Sequence, residues 1–342
     1  MSSTEPVFEI SRDIPEPEAW RRFVDEHPAG RWYHRPEWGA VAEAAYRMPA
    51  LYVTVRRENA LEGVCLLTRT PVFPWGHKLT AGAFIAHGGP LLRREADREP
   101  LHAFLRLEAR RTGERAVELR ERIPPGELRE GDIVTLACPL APAADAHWQT
   151  LDAKVRNQVR KGQKSNLSLR QGHEHVDALH AVYSEHQRGM GTPTHARKFF
   201  REILARFPVN SDVLIVTLDR KPVGGMILFF DARVCVALSA CSLREHGSLC
   251  VNHFMYWEAM RFAMSRSIPE FDFGRSLFGS GTCSFKMKWG ATPMKLHYHD
   301  VLGDHVVPPT KSSEMSLAAR AWRLLPAALA NRLGPVLRRY LA

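Results

Sequence analysis

One order of elements occurs twice along this chain, and it restricts the fold more than any other feature of the sequence. Each copy has two helical patterns followed by two apolar strands that a charged turn joins. The first copy runs through residues 17–27, 33–38, 51–55 and 63–68, and the second through 176–188, 196–207, 213–218 and 223–230. Such a repeat predicts a duplicated domain. Hairpins with charged turns are common, so a chance match is the alternative.

After the second hairpin, the pattern becomes strand, loop, helix and strand. These segments are residues 234–240, 241–249, 251–265 and 270–273. Two strands separated by a helix favour a parallel crossover within one sheet. Proline and alanine dominate residues 141–147, where we expect the two halves to meet. The predicted domains are residues 1–145 and 146–306, followed by a tail at 307–342, because 342 residues suffice for two cores.

The composition is that of a globular protein in a reducing compartment. Apolar residues make up 45% of the chain and charged residues 25%. No basic leader with an apolar core and no apolar run of about 20 residues occurs, so we expect a cytoplasmic protein. The six cysteines form no C-x-x-C pair, which argues against a zinc site or a disulfide framework. No metal site and no bound cofactor is predicted.

The net charge of +10 favours anionic partners. Phosphate groups, tRNA, anionic lipid or a nucleotide-linked substrate would each satisfy it. Many basic proteins from arginine-rich proteomes bind no special ligand, which explains the same excess of positive charge. The charge alone does not separate the two interpretations.

The C-terminal tail combines basic residues with an apolar stripe. Residues 311–342 carry six basic residues and one acidic residue. At helical spacing the stripe consists of Leu317, Trp322, Leu325, Leu329 and Leu333, and Pro326 is expected to kink it. The stripe could attach to an anionic membrane surface or to a membrane-bound partner. We favour the alternative, in which the helix packs back on the protein with its basic face in water.

The first candidate site is the turn at residues 242–248, between a predicted strand and a predicted helix. A helix that begins after a glycine turn presents unpaired backbone N–H groups and the positive end of its dipole. A pyrophosphate or a carboxylate fits there, so we assign donor binding to this region. The residues concerned are Arg244, Gly247, Ser248 and Asn252. The alternative is an ordinary turn, since an arginine and a glycine often precede a helix.

The second candidate site follows the last strand of this pattern. Asp272 and Arg275 lie at the end of that strand, and nearby glycines let the backbone approach a ligand closely. Lys286 could stabilise a developing oxyanion as a point charge. We therefore predict these three residues to be catalytic, with Phe285 and Trp289 as apolar contacts of the substrate. A buried structural pair with Arg275 is the alternative for Asp272.

The third candidate site is the segment 154–170, which holds six cationic side chains and no acid. At helical spacing one face is formed by Lys154, Asn157, Lys161 and Lys164, and Val155 and Val159 lie on another. A stripe of this kind can hold phosphate groups of a substrate. The residues predicted to do so are Lys154, Arg156, Asn157, Arg160 and Lys161. The alternative is a solvated face, although self-repulsion makes an idle stripe less favourable.

Several enzyme classes are excluded because their motifs are missing. The chain has no G-x-S-x-G, H-E-x-x-H, Walker or Rossmann pattern. The Asp-Phe-Gly triplet at residues 272–274 also occurs in kinases, but no glycine-rich loop, H-R-D segment or matching lysine accompanies it. His297 and His299 alternate on a strand without a cysteine or carboxylate partner, so they do not predict a metal site.

Several of these segments together resemble one family. The segments are Lys154-x-Arg-Asn-Gln-Val-Arg-Lys161, Gly191-Thr-Pro193, Phe271-Asp-Phe-Gly-Arg-Ser276 and Phe285-Lys286-x-x-Trp-Gly-Ala291. They are similar to the FemAB-like acyltransferases, and more closely to the branch associated with XrtA/PEP-CTERM exosortase and exopolysaccharide systems. The resemblance extends from about residue 30 to the C-terminus and is strongest in residues 151–296.

The resemblance implies a tandem GNAT fold, which is an α/β (α+β) architecture with a mixed sheet flanked by helices in each half. It also implies transfer of an acyl or aminoacyl group to an amine, with cell-wall or cell-surface precursors as typical acceptors. In the family's Phe/Tyr-Lys motif the lysine lies at the reacting centre, and the resemblance implies this role for Lys286. The turn at residues 244–248 lies where a GNAT pyrophosphate loop would be, which implies acyl-CoA as a donor. Better-known members of the family use aminoacyl-tRNA, which is the other donor implied.

The predicted function is therefore transfer of an acyl group from acyl-CoA or aminoacyl-tRNA to an amine of a cell-envelope, exopolysaccharide or related precursor. The acceptor would be a small or a lipid- or nucleotide-linked amine, with tRNA as a further partner. We expect the enzyme in the cytoplasm or at the inner face of the membrane. One alternative is a catalytically inactive scaffold or anionic-ligand binding protein in a surface-polysaccharide pathway. Another is a nucleic-acid binder, although the basic stripe lacks the interleaved aromatics that stack on bases.

Overall fold

The computed structural model describes residues 5–122, 127–306 and 315–342. Its strands are β1 (Val7–Ser11), β2 (Ala50–Arg57), β3 (Ala60–Pro71), β4 (His77–Ala81), β5 (Leu91–Leu92), β6 (Val117–Arg122), β7 (Ile133–Pro139), β8 (Leu167–Gln171), β9 (Ser211–Leu218), β10 (Lys221–Phe230), β11 (Cys235–Ser242), β12 (Glu270–Leu277), β13 (Thr292–Asp300) and β14 (His305–Val306). Its α-helices are α1 (Pro17–Glu26), α2 (Pro36–Tyr46), α3 (Arg98–Thr112), α4 (Ala144–Thr150), α5 (Ala153–Gln163), α6 (Val176–Met190), α7 (Arg197–Arg206), α8 (Val251–Met264), α9 (Gly281–Met287), α10 (Met315–Leu324) and α11 (Ala327–Arg338).

By its contacts the chain divides into two compact units. The described residues of unit 1 are 5–122, 296–306 and 336–342, and those of unit 2 are 127–295 and 315–335. The chain passes from unit 1 to unit 2 between β6 and β7, and it returns to unit 1 within β13. The domain bounds expected from the sequence, 1–145, 146–306 and 307–342, stay a prediction.

Unit 1 contains a mixed sheet with a helix packed on it. Its strands are ordered β1-β2-β3-β4-β6, and residues 296–300 of β13 pair with β6. Neighbouring strands are antiparallel except β4 and β6, which run parallel. The helix between those two strands, α3, buries Leu101, Leu105 and Ala109. Because these residues recur every fourth position, they form the apolar face of an amphipathic helix.

Unit 2 has the same kind of architecture. Its strands are ordered β7-β12-β11-β10-β9-β8, and residues 292–295 of β13 pair with β7. β11 and β12 run parallel and α8 connects them, so the predicted crossover is confirmed. α8 is buried on most of its circumference, as expected for a helix with apolar side chains on all faces.

The two hairpins confirm the repeat predicted from the sequence. The order α1, α2, β2, β3 in unit 1 recurs as α6, α7, β9, β10 in unit 2. Both hairpins turn on two residues with positive φ, which are Glu58 and Asn59 in the first hairpin and Asp219 and Arg220 in the second. Two consecutive left-handed residues define a type I′ turn, whose twist matches that of the flanking strands.

Two local predictions differ from the structure. The segment expected to be a loop before α8 contains a 3-10 turn at Arg244–Leu249. β12 extends to Leu277, beyond the expected end at residue 273, because a bulge lets the strand continue pairing with β7.

The tail forms two helices, and residues 307–314 lie outside the described part of the chain. α10 and α11 are separated around Pro326, which is consistent with the expected kink. Trp322 is buried in unit 2, so this part of the tail packs back as expected. Other members of the predicted stripe are exposed, namely Leu317, Leu329 and Leu333. Among the described residues, no helix is both long enough and apolar enough to span a bilayer.

All six cysteines are buried free thiols. Burial raises the pKa of Cys138 and that of Cys241 to about 12. Thiols in such surroundings stay protonated and act as small core residues. The described residues contain no group of three or more histidine, cysteine, aspartate or glutamate side chains that could hold a metal ion.

Candidate active site

Two adjacent parallel strands bring the predicted site residues to one edge of the unit 2 sheet. β11 ends at Ser242 and is followed by the 3-10 turn and α8, whereas β12 ends at Leu277 and is followed by α9. Because β11 and β12 run parallel, their carboxyl ends face the same edge. This edge therefore carries both the predicted donor turn and α9, the helix of Lys286.

A bulge in β12 shapes the backbone at this edge. Asp272 lies opposite Ala137 and Arg275 opposite Thr135, so β12 has one residue more than β7 over this stretch. Gly274 has a φ of +73°, a left-handed conformation that residues with side chains rarely adopt. The Asp272 carboxylate accepts hydrogen bonds from the Gly274 N–H (2.7 Å) and the Thr135 hydroxyl (2.9 Å). Asp272 therefore takes part in holding the bulge.

Lys286 reaches the bulge from α9. Its Nζ donates to the backbone oxygens of Gly274 and Arg275, both at 2.9 Å, and the residue is only 4% exposed. An ammonium has three donors. Among the described residues only these two oxygens accept from it, which leaves a third donor for a ligand. The Ser280 hydroxyl caps α9 by accepting from the Cys283 N–H (3.1 Å), and the cap fixes the helix that carries Lys286.

Burial lowers the pKa of Lys286 to about 8. Loss of hydration opposes the charged form, and the nearby Asp272 carboxylate partly offsets that effect. A lysine with this pKa is charged at neutral pH but close to its titration point. It can therefore stabilise a negative oxygen, and it loses this ability at moderately alkaline pH.

Aromatic residues support α9 from the side of α8. Phe285 is half-buried and lies edge-on to His253, with ring centroids 5.1 Å apart, and Tyr256 lies 5.6 Å from it. Trp289 is 1% exposed, and its Nε1 has no hydrogen-bond partner in the described part of the chain. The structure thus places Trp289 in the core rather than on an open apolar wall, because its neighbours cover the whole indole.

His253 is a candidate that sequence reasoning did not single out. It lies in the first turn of α8, half-buried beside Phe285, and burial lowers the pKa of its imidazole, with a smaller contribution from Lys288. A neutral imidazole can accept a proton from an attacking amine. The only sequence signal for His253 is its position just after the glycine turn, and that position alone does not indicate a catalytic role.

The N-terminus of α8 has neither a side-chain cap nor an acidic residue. Cys250, the residue before the helix, has a φ of 60° and provides no side-chain cap, and no acid lies in the first turn. The first N–H groups of an α-helix have no acceptor within the helix, and the dipole favours an anion there. The predicted donor residues in and before this turn are all exposed, namely Arg244, Gly247, Ser248 and Asn252.

The helix with the basic stripe, α5, packs against the same end of α8. The Cys250 thiol donates to Gln158 Oε1 (2.7 Å). A Cβ on Gly162 would lie 2.9 Å from the Cβ of Phe254, so only a glycine permits this close approach of the helices. Val155 and Val159 are buried, as the predicted face requires. The stripe and the donor turn, separate in the sequence, are therefore neighbours.

The cations of α5 remain uncompensated. In the described part of the chain no ion pair is formed by Lys154, Arg156, Arg160, Lys161 or Lys164. Arg156 donates to the backbone oxygen of Gln149 and Arg160 to Asn157 Oδ1, each at 3.4 Å. An unpaired cluster of this kind raises the local positive potential and attracts phosphate groups.

Two further predicted residues lie at the margins of this region. Arg275 contributes its backbone oxygen to Lys286, and its side chain is exposed. The Arg244 guanidinium donates to the Met190 sulfur (3.5 Å), and Arg323 of α10 donates to the Met190 backbone oxygen (3.4 Å). The first tail helix is thus a neighbour of the donor turn.

One family matches the chain over the part that carries the site. Residues 152–287 match the Acetyltransferase (GNAT) domain family. This span includes α5, the donor turn, the bulge and Lys286. No curated protein matches the sequence.

Several solved structures share the fold at low identity. FemX matches with a TM-score of 0.64 and 14% identity, over 85% of this chain and 95% of that one. A tandem GNAT protein from the clavulanic acid biosynthesis pathway matches with a TM-score of 0.55 and 11% identity, over 87% and 99%. The C-terminal domain of a putative lysylphosphatidylglycerol synthetase from Agrobacterium fabrum matches with 0.52 and 13%, over 89% and 94%. Residues 152–287 therefore match a GNAT domain, and the chain has a tandem GNAT-like fold.

Proposed function

We propose that this protein is an N-acyltransferase or aminoacyltransferase that moves an acyl group from an activated donor to an amine. The observation that carries the proposal is Lys286, a buried cation with a third donor left over, at the same edge of the sheet as the uncapped N-terminus of α8. Acyl transfer needs a charge at the developing oxyanion and a site for the anionic part of the donor. The GNAT domain at residues 152–287 supports the same class of reaction.

In the proposed reaction the amine nitrogen attacks the carbonyl carbon of an ester or thioester, and the carbonyl oxygen becomes negative. The Lys286 ammonium donates to that oxygen, while the two bulge carbonyls hold the lysine in position. The intermediate then re-forms its carbonyl and expels the alcohol or thiol of the donor. Lys286 acts here as a fixed charge, so it neither gains nor loses a proton during the step.

The amine must lose a proton, and we assign it to His253. Its imidazole is kept neutral by burial and can pass the proton to the departing oxygen or sulfur. Asp272 is predicted from the sequence to be catalytic, but one of its oxygens already accepts two hydrogen bonds within the bulge. We therefore assign Asp272 a positioning role. We assign the exposed Arg275 side chain the role of orienting a carboxylate or phosphate of a substrate.

For the donor, acyl-CoA and aminoacyl-tRNA are the two candidates, because both carry phosphate groups. The α8 N-terminus would hold one phosphate, and the stripe on α5 adds positive potential to the same region. An anionic acceptor would benefit from the same potential. The packing of Gln158 and Gly162 against the start of α8 supports this shared use.

For the acceptor, we propose an amine of a cell-envelope, exopolysaccharide or related precursor. This choice rests on the resemblance to the XrtA/PEP-CTERM-associated branch. Such precursors are lipid- or nucleotide-linked anions, which suits a chain with a net charge of +10. We place the enzyme in the cytoplasm or at the inner face of the membrane.

A second candidate is an anionic-ligand binding protein without catalysis. The unpaired cations of α5 favour it, because they would attract an anion whether or not Lys286 acts on an acyl group. The two candidates differ in one respect: only the enzyme needs the buried ammonium.

The proposal is tested by native mass spectrometry and thermal shift with acetyl-CoA, longer acyl-CoAs and aminoacyl-tRNA, followed by mass detection of acylated amines. We expect one donor class to stabilise the protein and its acyl group to reach an amine. The variant Lys286→Met should keep donor stabilisation and lose transfer. Donor binding without transfer to any amine would favour the binding protein, and no stabilisation by any donor would overturn the proposal.

A further inference from the structure

A hairpin tip in unit 1 exposes two large aromatic side chains. The turn between β3 and β4 is closed by the Val72 N–H, which donates to the Gly76 backbone oxygen (3.0 Å). Within this turn, Phe73 is 80% exposed and Trp75 is 72% exposed. Two large rings exposed in the same turn lose the stabilisation that burial would give, which indicates that another surface covers them in function. The site in unit 2 uses neither residue.

The end of the chain adds apolar surface beside this tip. A groove of about 390 Å³ is lined by hairpin residues, including Pro74 and Trp75, and by Arg339 and Tyr340 near the C-terminus. Exposed apolar side chains flank those two residues, namely Val336, Leu337 and Leu341. We call residues 73–75 together with residues 336–341 the tip–tail surface. It joins two segments that lie far apart in the sequence.

The charge around the tip–tail surface is positive. Arg47 and Arg69 also line the groove, and no carboxylate of the described residues does. Arg69 is paired with Glu114 (2.7 Å), but Arg47 and Arg339 form no ion pair within the described chain. Arg339 Nε is buried and has no hydrogen-bond partner among the described residues. Arg339 does donate to the Tyr340 hydroxyl (3.3 Å), which leaves its charge uncompensated. Guanidinium groups without a carboxylate partner beside exposed rings are suited to phosphate groups next to an apolar phase.

The sequence continues this charge pattern. Residues 315–342 contain five arginines and no acidic residue. Cationic segments near a membrane surface gain attraction from anionic lipids, and the gain grows with each arginine. Aromatic side chains are favoured where headgroups meet acyl chains. The tip–tail surface thus has both components of an interfacial contact, rings that can enter the boundary and cations that can meet its phosphates.

We propose that the tip–tail surface binds an anionic lipid bilayer, with Phe73 and Trp75 inserted at the headgroup level. A second copy of this chain is a poorer occupant, because it would bring the same unpaired arginines against the surface. Membrane binding through unit 1 goes beyond the proposed acyl transfer and does not depend on its donor or acceptor. It would hold the protein at the surface where a lipid-linked acceptor is found.

The test is sedimentation of the full chain with vesicles of phosphatidylcholine alone or with about 30 mol% phosphatidylglycerol. We expect binding to the anionic vesicles, and a loss of about tenfold or more in the partition coefficient for the double variant Phe73→Ser/Trp75→Ser. The matched control is Leu107→Ser/Val209→Ser, which removes two exposed apolar side chains elsewhere. This control should bind as the parent does. Thermal melts verify that all variants are folded.

A second arm tests the charge. The variant Arg47→Gln/Arg339→Gln should weaken binding by about fivefold for each charge removed, and added salt should reduce the difference. The emission of Trp75, taken as the difference between the parent and Trp75→Phe, should shift to the blue with anionic vesicles because the indole leaves water. The only variant that this readout needs is Trp75→Phe, which replaces one aromatic ring by another at an exposed position.

Three outcomes would overturn the inference. The parent could fail to bind anionic vesicles, or the aromatic variant could bind them as well as its control does. The parent could instead form a dimer that the aromatic variant lacks, without vesicle binding, which would assign the rings to a contact between proteins.

Discussion

Both units contain a strand, a helix and a parallel strand in the same order, but the two helices begin differently. In unit 1, Asp97 precedes α3 and Glu99 lies in its first turn, and Asp97 is paired with Arg57 (2.6 Å). In unit 2, α8 begins after Cys250 and has no acid in its first turn. Carboxylates at a helix N-terminus occupy the positive end of its dipole. Unit 1 places its own carboxylates at this end, although neither caps the helix by a hydrogen bond, and unit 2 places none there.

The second strand of each crossover differs as well. β6 pairs with β13 in unbroken register from Glu118 to Arg122. β12 carries the bulge at Gly274, and the carbonyls there hold Lys286. A shared fold does not by itself locate chemistry. We expect the chemistry where unit 2 departs from the regular pattern of unit 1, at the bulge of β12 and at the start of α8.

The largest expected effect comes from the charge at the bulge. Lys286→Met should raise the barrier to acyl transfer by roughly 2–4 kcal/mol, because the oxyanion loses its cationic donor. The matched control is Lys288→Met, an exposed lysine two residues further on. Steady-state kinetics of both variants with one donor check this prediction. Equal losses in the two variants would mean that Lys286 has no special role.

The backbone conformation of the bulge can be disturbed by adding a single methyl group at Gly274. Gly274→Ala should lower the free energy of unfolding by about 1–2 kcal/mol, since a φ of +73° strains an alanine. Transfer should fall too, because the carbonyls that hold Lys286 move. Gly281→Ala in α9 is the control, since a Cβ there meets nothing within 4 Å. Chemical denaturation and kinetics measure both effects, and a variant as stable and active as the control would contradict the account.

The difference between the two helix N-termini can be tested by giving α8 an acidic residue in its first turn, as α3 has. Asn252→Asp places a carboxylate in the open first turn, where it should stabilise the helix by about 0.3–1 kcal/mol. The same charge should weaken donor binding by about threefold to tenfold, because it competes for the dipole and repels phosphate. Glu99→Gln in α3 is the control and should leave the donor Kd unchanged. A stabilised variant with unaltered donor Kd would place the donor's anion elsewhere.

The smallest effect is expected from the stripe on α5. Lys154→Gln/Lys161→Gln should weaken donor binding by about twofold to fivefold at low salt, and less at high salt, because exposed charges are screened. Lys198→Gln/Lys221→Gln removes two exposed lysines from other elements and serves as the control. Titration calorimetry at two salt concentrations measures the donor Kd of both variants. The same loss in both variants would reduce the stripe to a general effect of net charge.

Local features of the fold could be predicted from the sequence, because they depend on neighbouring residues. The two charged turns between apolar strands predicted both hairpins. The left-handed pairs in these turns, such as Glu58 and Asn59, are a finding of the structure. The position of Lys286 after the strand with Asp272 could also be predicted. The crossover in unit 2 was evident from its strand, loop, helix and strand pattern.

Features that depend on packing could not be predicted in this way. One extra residue at Gly274 does not disturb an apolar pattern, so the bulge left no signal. An aromatic residue such as Trp289 suits a substrate wall or a core equally well, and only its neighbours decide. His253 becomes a candidate only in the structure, where it contacts Phe285, the residue next to Lys286. The periodicity of the tail showed a stripe, but not that Trp322 would be covered while Leu317 stays exposed.

The central claim, that Lys286 acts as a cation, has a direct signature in pH. Its folded pKa of about 8 lies below its ordinary value of 10.5. Between these values the unfolded chain binds more protons, so the stability of the folded protein should rise with pH there. Catalysis should change in the opposite direction, because the charged form is lost from the folded enzyme.

The decisive measurement is kcat/KM as a function of pH for the parent and for Lys286→Arg. The account predicts that kcat/KM of the parent declines as the pH rises through about 8, as the lysine loses its charge. The arginine variant stays charged, so its activity, although lower, should not decline in this range. A flat profile for the parent, or the same decline in the arginine variant, would contradict the role assigned to Lys286.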